Sequence, residues 1–247
     1  MRLTTQVFAF ALGAGFLLAS PSTARADEVD LPALLKRLAA HAAVTDRNDE
    51  TVDMVCTERQ EELDSDGKVT HWFETLTRIT HPGGRKAREI QKATKDGQDV
   101  TAEARARASK KKGDEKSIAV DASNPFAAAE QPKYRFTIKG PAPNDPSKLL
   151  LHFGPKGKAS TDVLVGHGLV DPAKGEALKF TFRPSEYPSM VKTASLEMDI
   201  TPASFGPITS RLSFQGEGGI LFIKKRVRGS MRCHDFSPPP GTSPPAP

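Results

Sequence analysis

Two runs decide how this chain folds: Leu178-Lys179-Phe180-Thr181-Phe182-Arg183 and Lys192-Thr193-Ala194-Ser195-Leu196-Glu197-Met198-Asp199-Ile200. Apolar and polar residues alternate in both. A period of two places every second side chain on one face of a sheet. The same alternation recurs between Tyr134 and Phe236, over residues 134–138, 149–153, 162–170, 178–183, 191–201, 208–215 and 220 to about 232. Clusters rich in Pro, Gly, Asn and Asp at 140–147, 154–157, 171–175, 202–207 and 216–219 read as the connecting turns. Gly166-His167-Gly168 interrupts one strand and signals a bulge or a close backbone approach. The product is a broad antiparallel sheet with one apolar face, and something has to cover that face.

Upstream, Asp30 can cap a helix over 31–44, with Leu31, Leu34, Leu35, Leu38 and Ala42 at i, i+3, i+4, i+7 spacing. Pro32 falls in its first turn, where proline is tolerated. A long hairpin follows over 51–63 and 69–80, turning at Asp64-Ser65-Asp66-Gly67, with Trp72 and Leu76 on one face of its second strand and Val69, Phe73 and Ile79 on the other. After Pro82-Gly83-Gly84 comes a weaker strand over 86–94, ended by Lys95-Asp96-Gly97. Residues 101–112 form good helix but lack an apolar stripe, so they read as a solvated helix. Residues 113–130 are small and polar, with Asn124-Pro125-Phe126 the one anchor, and 101–131 reads as an excursion from the sheet. About ten strands and two helices result. A sheet this large must curl or close.

The first 26 residues are set apart. Arg2, an apolar run from Val7 to Ala19, and Ala24-Arg25-Ala26 describe a secretory signal peptide cleaved after Ala26. No Cys lies near that site, so no lipid anchor is expected, and a soluble periplasmic or secreted protein is. One domain over 27–236 and a disordered Pro-rich tail over 237–247 complete the organisation. The formal charge of +5 falls to +3 (5 minus 2) without Arg2 and Arg25. That mild excess does not imply nucleic acid and allows peripheral membrane contact at most.

Two cysteines occur, Cys56 and Cys233, 177 residues apart. An even pair in an oxidising compartment reads as a disulfide, the alternative being two separate buried thiols. Paired, they join the first and last strands of the sheet. The expected fold is therefore mainly β with two helices, a large curled antiparallel sheet forming an incomplete (unclosed) β-barrel, its outermost strands drawn together by the disulfide and its concave side plugged by the N-terminal helix.

The order of features resembles a known family. Glu61-Glu62-Leu63-Asp64-Ser65-Asp66-Gly67-Lys68-Val69, Lys95-Asp96-Gly97-Gln98-Asp99-Val100-Thr101, Tyr134-Arg135-Phe136 and Val170-Asp171-Pro172-Ala173-Lys174-Gly175 look like turn and strand signatures of exported bacterial proteins of the outer-membrane lipoprotein-sorting (LolA/LolB-like) superfamily. That resemblance covers most of the chain after the leader. It implies an unclosed barrel lidded by helices, whose apolar cavity binds acyl chains. No site residue transfers position by position, and the polar second helix departs from a lid that should be apolar beneath.

No sequence feature carries catalysis. His41, His71, His81, His152, His167 and His234 form no close ligand pair, and no nucleophile elbow, phosphate loop or dinucleotide fingerprint occurs. No enzyme activity, metal or cofactor is expected. The basic run Lys224, Lys225, Arg226, Arg228 and Arg232 reads either as protection of an edge strand or as a contact for anionic lipid or a partner. The apolar face supplies the candidate cavity: Phe136, Ile138, Leu151, Phe153, Phe180, Phe182, Leu196, Met198, Leu212 and Phe214. These residues either pack on the first helix as an ordinary core or line a site for a lipid or lipoprotein acyl chain. The expected function is a non-enzymatic, monomeric periplasmic carrier. The alternative is an envelope interaction or sensing module that binds a protein partner without lipid.

Overall fold

The alternating runs form one antiparallel sheet of eleven strands, seen in a computed structural model that describes residues 29–110, 123–220 and 223–238, the side chains at 220, 223 and 224 excepted. The leader, residues 111–122 and the tail from 239 lie outside the described residues. Helix α1 (Leu31–Thr51) leads into strands β1 (Asp53–Leu63), β2 (Val69–Thr80), β3 (Ala87–Lys95) and the short β4 (Gln98–Asp99). Helix α2 (Thr101–Lys110) follows. Then come β5 (Tyr134–Ala142), β6 (Asp145–Pro155), β7 (Leu164–Asp171), β8 (Glu176–Pro184), β9 (Val191–Ala203), β10 (Gly206–Ile220) and β11 (Ile223–Ser237). Spatial order is β4-β3-β2-β1-β11-β10-β9-β8-β7-β6-β5, an open sheet curled around an N-terminal helix.

Two meanders thus meet where the first and last strands pair. Cys56 and Cys233 face each other in register, with Cα atoms 4.1 Å apart, and form the expected disulfide. Its place corrects one expectation: it staples neighbouring strands inside the sheet, and the outermost strands are β4 and β5. The protection of an edge by basic residues fails for the same reason, because β11 runs between β1 and β10.

Helix α1 is longer than its apolar stripe. Asp30 caps it, its carboxylate accepting from Ala33 N at 3.2 Å, and Leu34, Leu38 and Ala42 are buried as the spacing predicts. Two further turns carry it through Thr51, past the expected end at residue 44 and up to the expected start of the hairpin at residue 51. They are held by polar bonds instead of apolar contact. Asn48 donates to the Pro207 carbonyl at 2.8 Å, and Asp49 accepts from the Thr209 amide at 2.9 Å and hydroxyl at 2.6 Å. Gly206, at φ +120°, makes room: a Cβ there would lie 3.1 Å from both Asn48 and Val44. At the other end, Arg37 donates to the Pro172 carbonyl at 2.7 Å over Gly175.

The glycines of 216–219 do not turn the chain. Strand β10 runs on to Ile220, because Gly216 and Gly218 pass close to β9; a Cβ on Gly218 would sit 2.4 Å from the Met190 carbonyl oxygen. Close approach also explains Gly166 and Gly168: the first lies against the Thr181 carbonyl, the second beneath the Phe126 ring. Phe126 is fully buried, its ring centroid 5.2 Å from Phe180, 5.6 Å from Phe136 and 6.0 Å from Phe153. Helix α2 buries no residue and rests on β3, where Arg105 donates to the Ile90 carbonyl at 2.7 Å.

Candidate functional site

Antiparallel register sorts the strands into two faces. Directly opposed residues share a face, so Phe180 with Met198 and Phe182 with Leu196 define the α1 side. Of the ten residues expected to line a cavity, nine belong to one apolar cluster with α1. Leu151, Phe153, Phe180, Phe182 and Leu196 are buried in it. Phe136, Ile138, Met198 and Phe214 are half-buried at its margin. Leu212, also half-buried, lies outside the cluster. The helix stripe and Phe126 fill the space over β6 to β9.

An apolar strip leaves this cluster toward the other meander. Its row is Leu196, Phe214, Gly229, Gln60 and Phe73, opposed in turn across β9, β10, β11, β1 and β2. Five strands at ~4.8 Å spacing give a track of roughly 19 Å. Gly229 carries no side chain, and the Phe214 ring lies over it; a Cβ there would be 2.2 Å from the ring. Gln60 is the one polar interruption. At the far end Phe73 and Val227 are each 37 % exposed and Val69 is 39 % exposed, an unusual state for apolar residues of their size.

The opposite face carries a different feature. Between β9, β10, β11 and β1 lies a groove of about 460 Å³ lined by Arg59, Glu61, Ser195, Glu197, Arg211, Ser213, Gln215, Arg228, Ser230 and Arg232, and bordered by Phe214 and Gly229 of the apolar strip. Glu61 accepts from Arg59 Nε at 2.8 Å and Arg228 Nε at 2.7 Å. The bond from Arg59 is the main reason its carboxyl sits below the usual carboxylate range. Arg59 also reaches Glu74 at 3.3 Å and stacks 4.4 Å from the Trp72 ring. Glu197 pairs with Lys179 at 2.8 Å.

Apart from Phe214, which borders both faces, the groove residues lie outside the ten candidate liners. Among the sequence signals only the basic run pointed here, through Arg228 and Arg232. The histidines do not assemble. His71 bonds Asp96 at 3.0 Å and His81 bonds Asp53 at 3.2 Å, near opposite ends of β2. His152 and His167 are opposed in register on the groove side, with rings 4.9 Å apart.

No family model matches the sequence, and no curated protein does. Among solved structures, MucB in its crystal complex with MucA(peri) is 11 % identical over 85 % of this chain and 99 % of that one, at a TM-score of 0.23. A Pseudomonas aeruginosa MucA/MucB complex gives 10 % identity over 83 % and 99 %, also at 0.23. Likenesses at that TM-score carry no argument about fold or function.

Proposed function

We propose that this is a non-catalytic, exported binding protein that shelters an acyl chain of a lipid or lipoprotein on the α1 side of its sheet. The observation that carries the reading is the strip from Leu196 over Phe214 and Gly229 to Phe73. It is continuous with the buried cluster at one end and open to solvent at the other. Apolar surface exposed beside a buried cluster marks binding sites, and here only Gln60 interrupts it. The site is thus displaced from the deep cluster toward the junction of the meanders. A buried cystine suits an oxidising compartment, and the resemblance to the lipoprotein-sorting superfamily points to the same ligand class.

One observation favours the second reading, an envelope module that binds a protein partner without lipid. Helix α1 is pinned at both ends, by Arg37 and by Asn48 with Asp49, so the deep cluster opens only if those bonds break. Native mass spectrometry of protein purified from its own cell envelope separates the two. Co-purifying lipid that disappears in Phe73→Ser supports the carrier reading. Lipid-free protein that does not take up a fluorescent fatty acid overturns it. Phe73 is 37 % exposed, so Phe73→Ser should cost less than the roughly 3–5 kcal/mol of a core Phe→Ala, and its melting temperature checks that it stays folded.

A further inference from the structure

The groove side contains a directly opposed pair of cations. Arg211 on β10 and Arg232 on β11 are directly opposed in register, on one face. Two cations so placed destabilise an antiparallel pair. Neighbouring carboxylates relieve them only in part, through one shared acid beside Arg211. Glu61 is held by Arg59 and Arg228, and Glu197 by Lys179. Asp199 is the nearest acid, 3.6 Å from Arg211 Nη1, and Lys179 competes for it at 3.8 Å. Arg211 Nε is buried without a partner. The Arg232 side chain makes no hydrogen bond or ion pair with any described residue. On the next row, Ser213 and Ser230 face each other, and neither hydroxyl makes a hydrogen bond among the described residues.

We propose that this groove is a binding site for a small oxyanion, a phosphate monoester or a carboxylate, held between Arg211 and Arg232 with Ser213 and Ser230 as further donors. Guanidinium groups bind both anions through parallel N–H bonds and keep their charge at any working pH. The volume of about 460 Å³ fits a ligand larger than the anion alone. Its body would extend along β10 past Gln215. An anion between the guanidiniums turns their repulsion into attraction, so occupancy and stability are coupled. This site lies on the face away from the acyl strip and is independent of the carrier reading.

The test is a thermal-unfolding titration of the mature, disulfide-intact protein with sodium phosphate or sodium citrate, against sodium chloride at matched ionic strength. Wild type should gain melting temperature with phosphate, citrate or both. A response to phosphate alone identifies a phosphate monoester, and a response to citrate alone a carboxylate. Arg232→Gln should weaken the response by roughly tenfold or more, the loss expected for one charged hydrogen-bonding partner. Lys225→Gln, which removes equal charge from the other face of β11, should leave it intact. Without added anion, Arg232→Gln should melt no lower than wild type, since it relieves the repulsion. No response to either anion beyond chloride overturns the proposal. So does an equal response in Arg232→Gln, or a loss shared equally by Lys225→Gln.

Discussion

The two faces of β8 to β11 are made by the same alternation and do opposite work. Toward α1, Phe180, Phe182 and Leu196 are buried and order the fold. Away from it, the intervening positions include Glu197, Arg211, Ser213 and Arg232, which stay half-buried or exposed and carry charge that the sheet does not fully neutralise. The difference teaches where to look for function. An apolar face is self-consistent because its residues satisfy one another. Repulsion left standing on the polar face needs a reason outside the chain. Substitutions should therefore act on stability from one side and on ligand response from the other.

The largest effect is expected on the α1 side. Phe180→Ala removes a ring that touches Phe126 from a fully packed site, and should cost about 3–5 kcal/mol in urea unfolding. Ser213→Ala on the opposite face of the same sheet should stay within roughly 0.5 kcal/mol. Equal costs would break the comparison.

Next is the cystine that joins the meanders. Removing the cystine with Cys56→Ser and Cys233→Ser should cost about 2–4 kcal/mol, the range typical of disulfides in practice and below what chain entropy alone gives for so long a loop. It closes a long loop, of 177 residues, but β1 and β11 remain paired through the rest of their register. A double mutant that no longer melts cooperatively would mean that the disulfide holds the meanders together almost alone.

Gly229→Ala sharpens the comparison where the strip residues Phe214 and Gly229 also border the groove. Its new Cβ would meet the Phe214 ring at 2.2 Å, so the ring must turn off β11. The overpacking should cost about 1–3 kcal/mol. It should also cut the acyl strip, lowering fatty-acid uptake while leaving the phosphate or citrate response unchanged. Loss of both responses would show that the two faces are not separable.

Much of this was legible in the sequence, and the exceptions have physical causes. Alternation located most of the strands, helical spacing the α1 stripe, residue count the cysteine pair and composition the Phe126 anchor, because each depends on local pattern or on a single residue type. The last two turns of α1 were not legible, since Asn48 and Asp49 are held by partners some 160 positions away. The groove was hidden by a turn read four residues early. With the hairpin turning at 216–219, Arg211 would oppose Lys224; with β10 continuing to Ile220, it opposes Arg232. Glycines there answer to backbone proximity with β9, and a glycine required for space looks the same in sequence as one required for a turn. The sequence expectation that the disulfide ties the sheet's outer edges fails for a related reason: periodicity finds strands and is silent on which strands become neighbours.

The smallest predicted effects set one histidine on each side against the other. His41 on α1 and His152 on the groove side both have ring pKa values pushed below the ordinary histidine value, chiefly by burial. Glu176 opposes the shift at His41; the His167 ring beside His152 adds to it. A lowered folded pKa means that the unfolded chain binds the proton more tightly. Each histidine therefore leaves stability unaffected above its unfolded pKa, and subtracts from it as pH falls from that value toward the folded one. Melting temperature should decline as pH drops below the ordinary histidine range. His41→Gln and His152→Gln should each flatten part of that decline, and roughly additively, because they lie on different elements. His167→Gln should recover the charge-related part of the His152 contribution and leave that of His41 untouched. An acid decline unchanged in the His41→Gln, His152→Gln double mutant would assign it to the carboxylates instead, with Asp171 the first to examine. Its carboxyl is held below the usual range despite burial that pulls the other way, by Lys148 at 2.7 Å, so its stabilisation is lost only at lower pH.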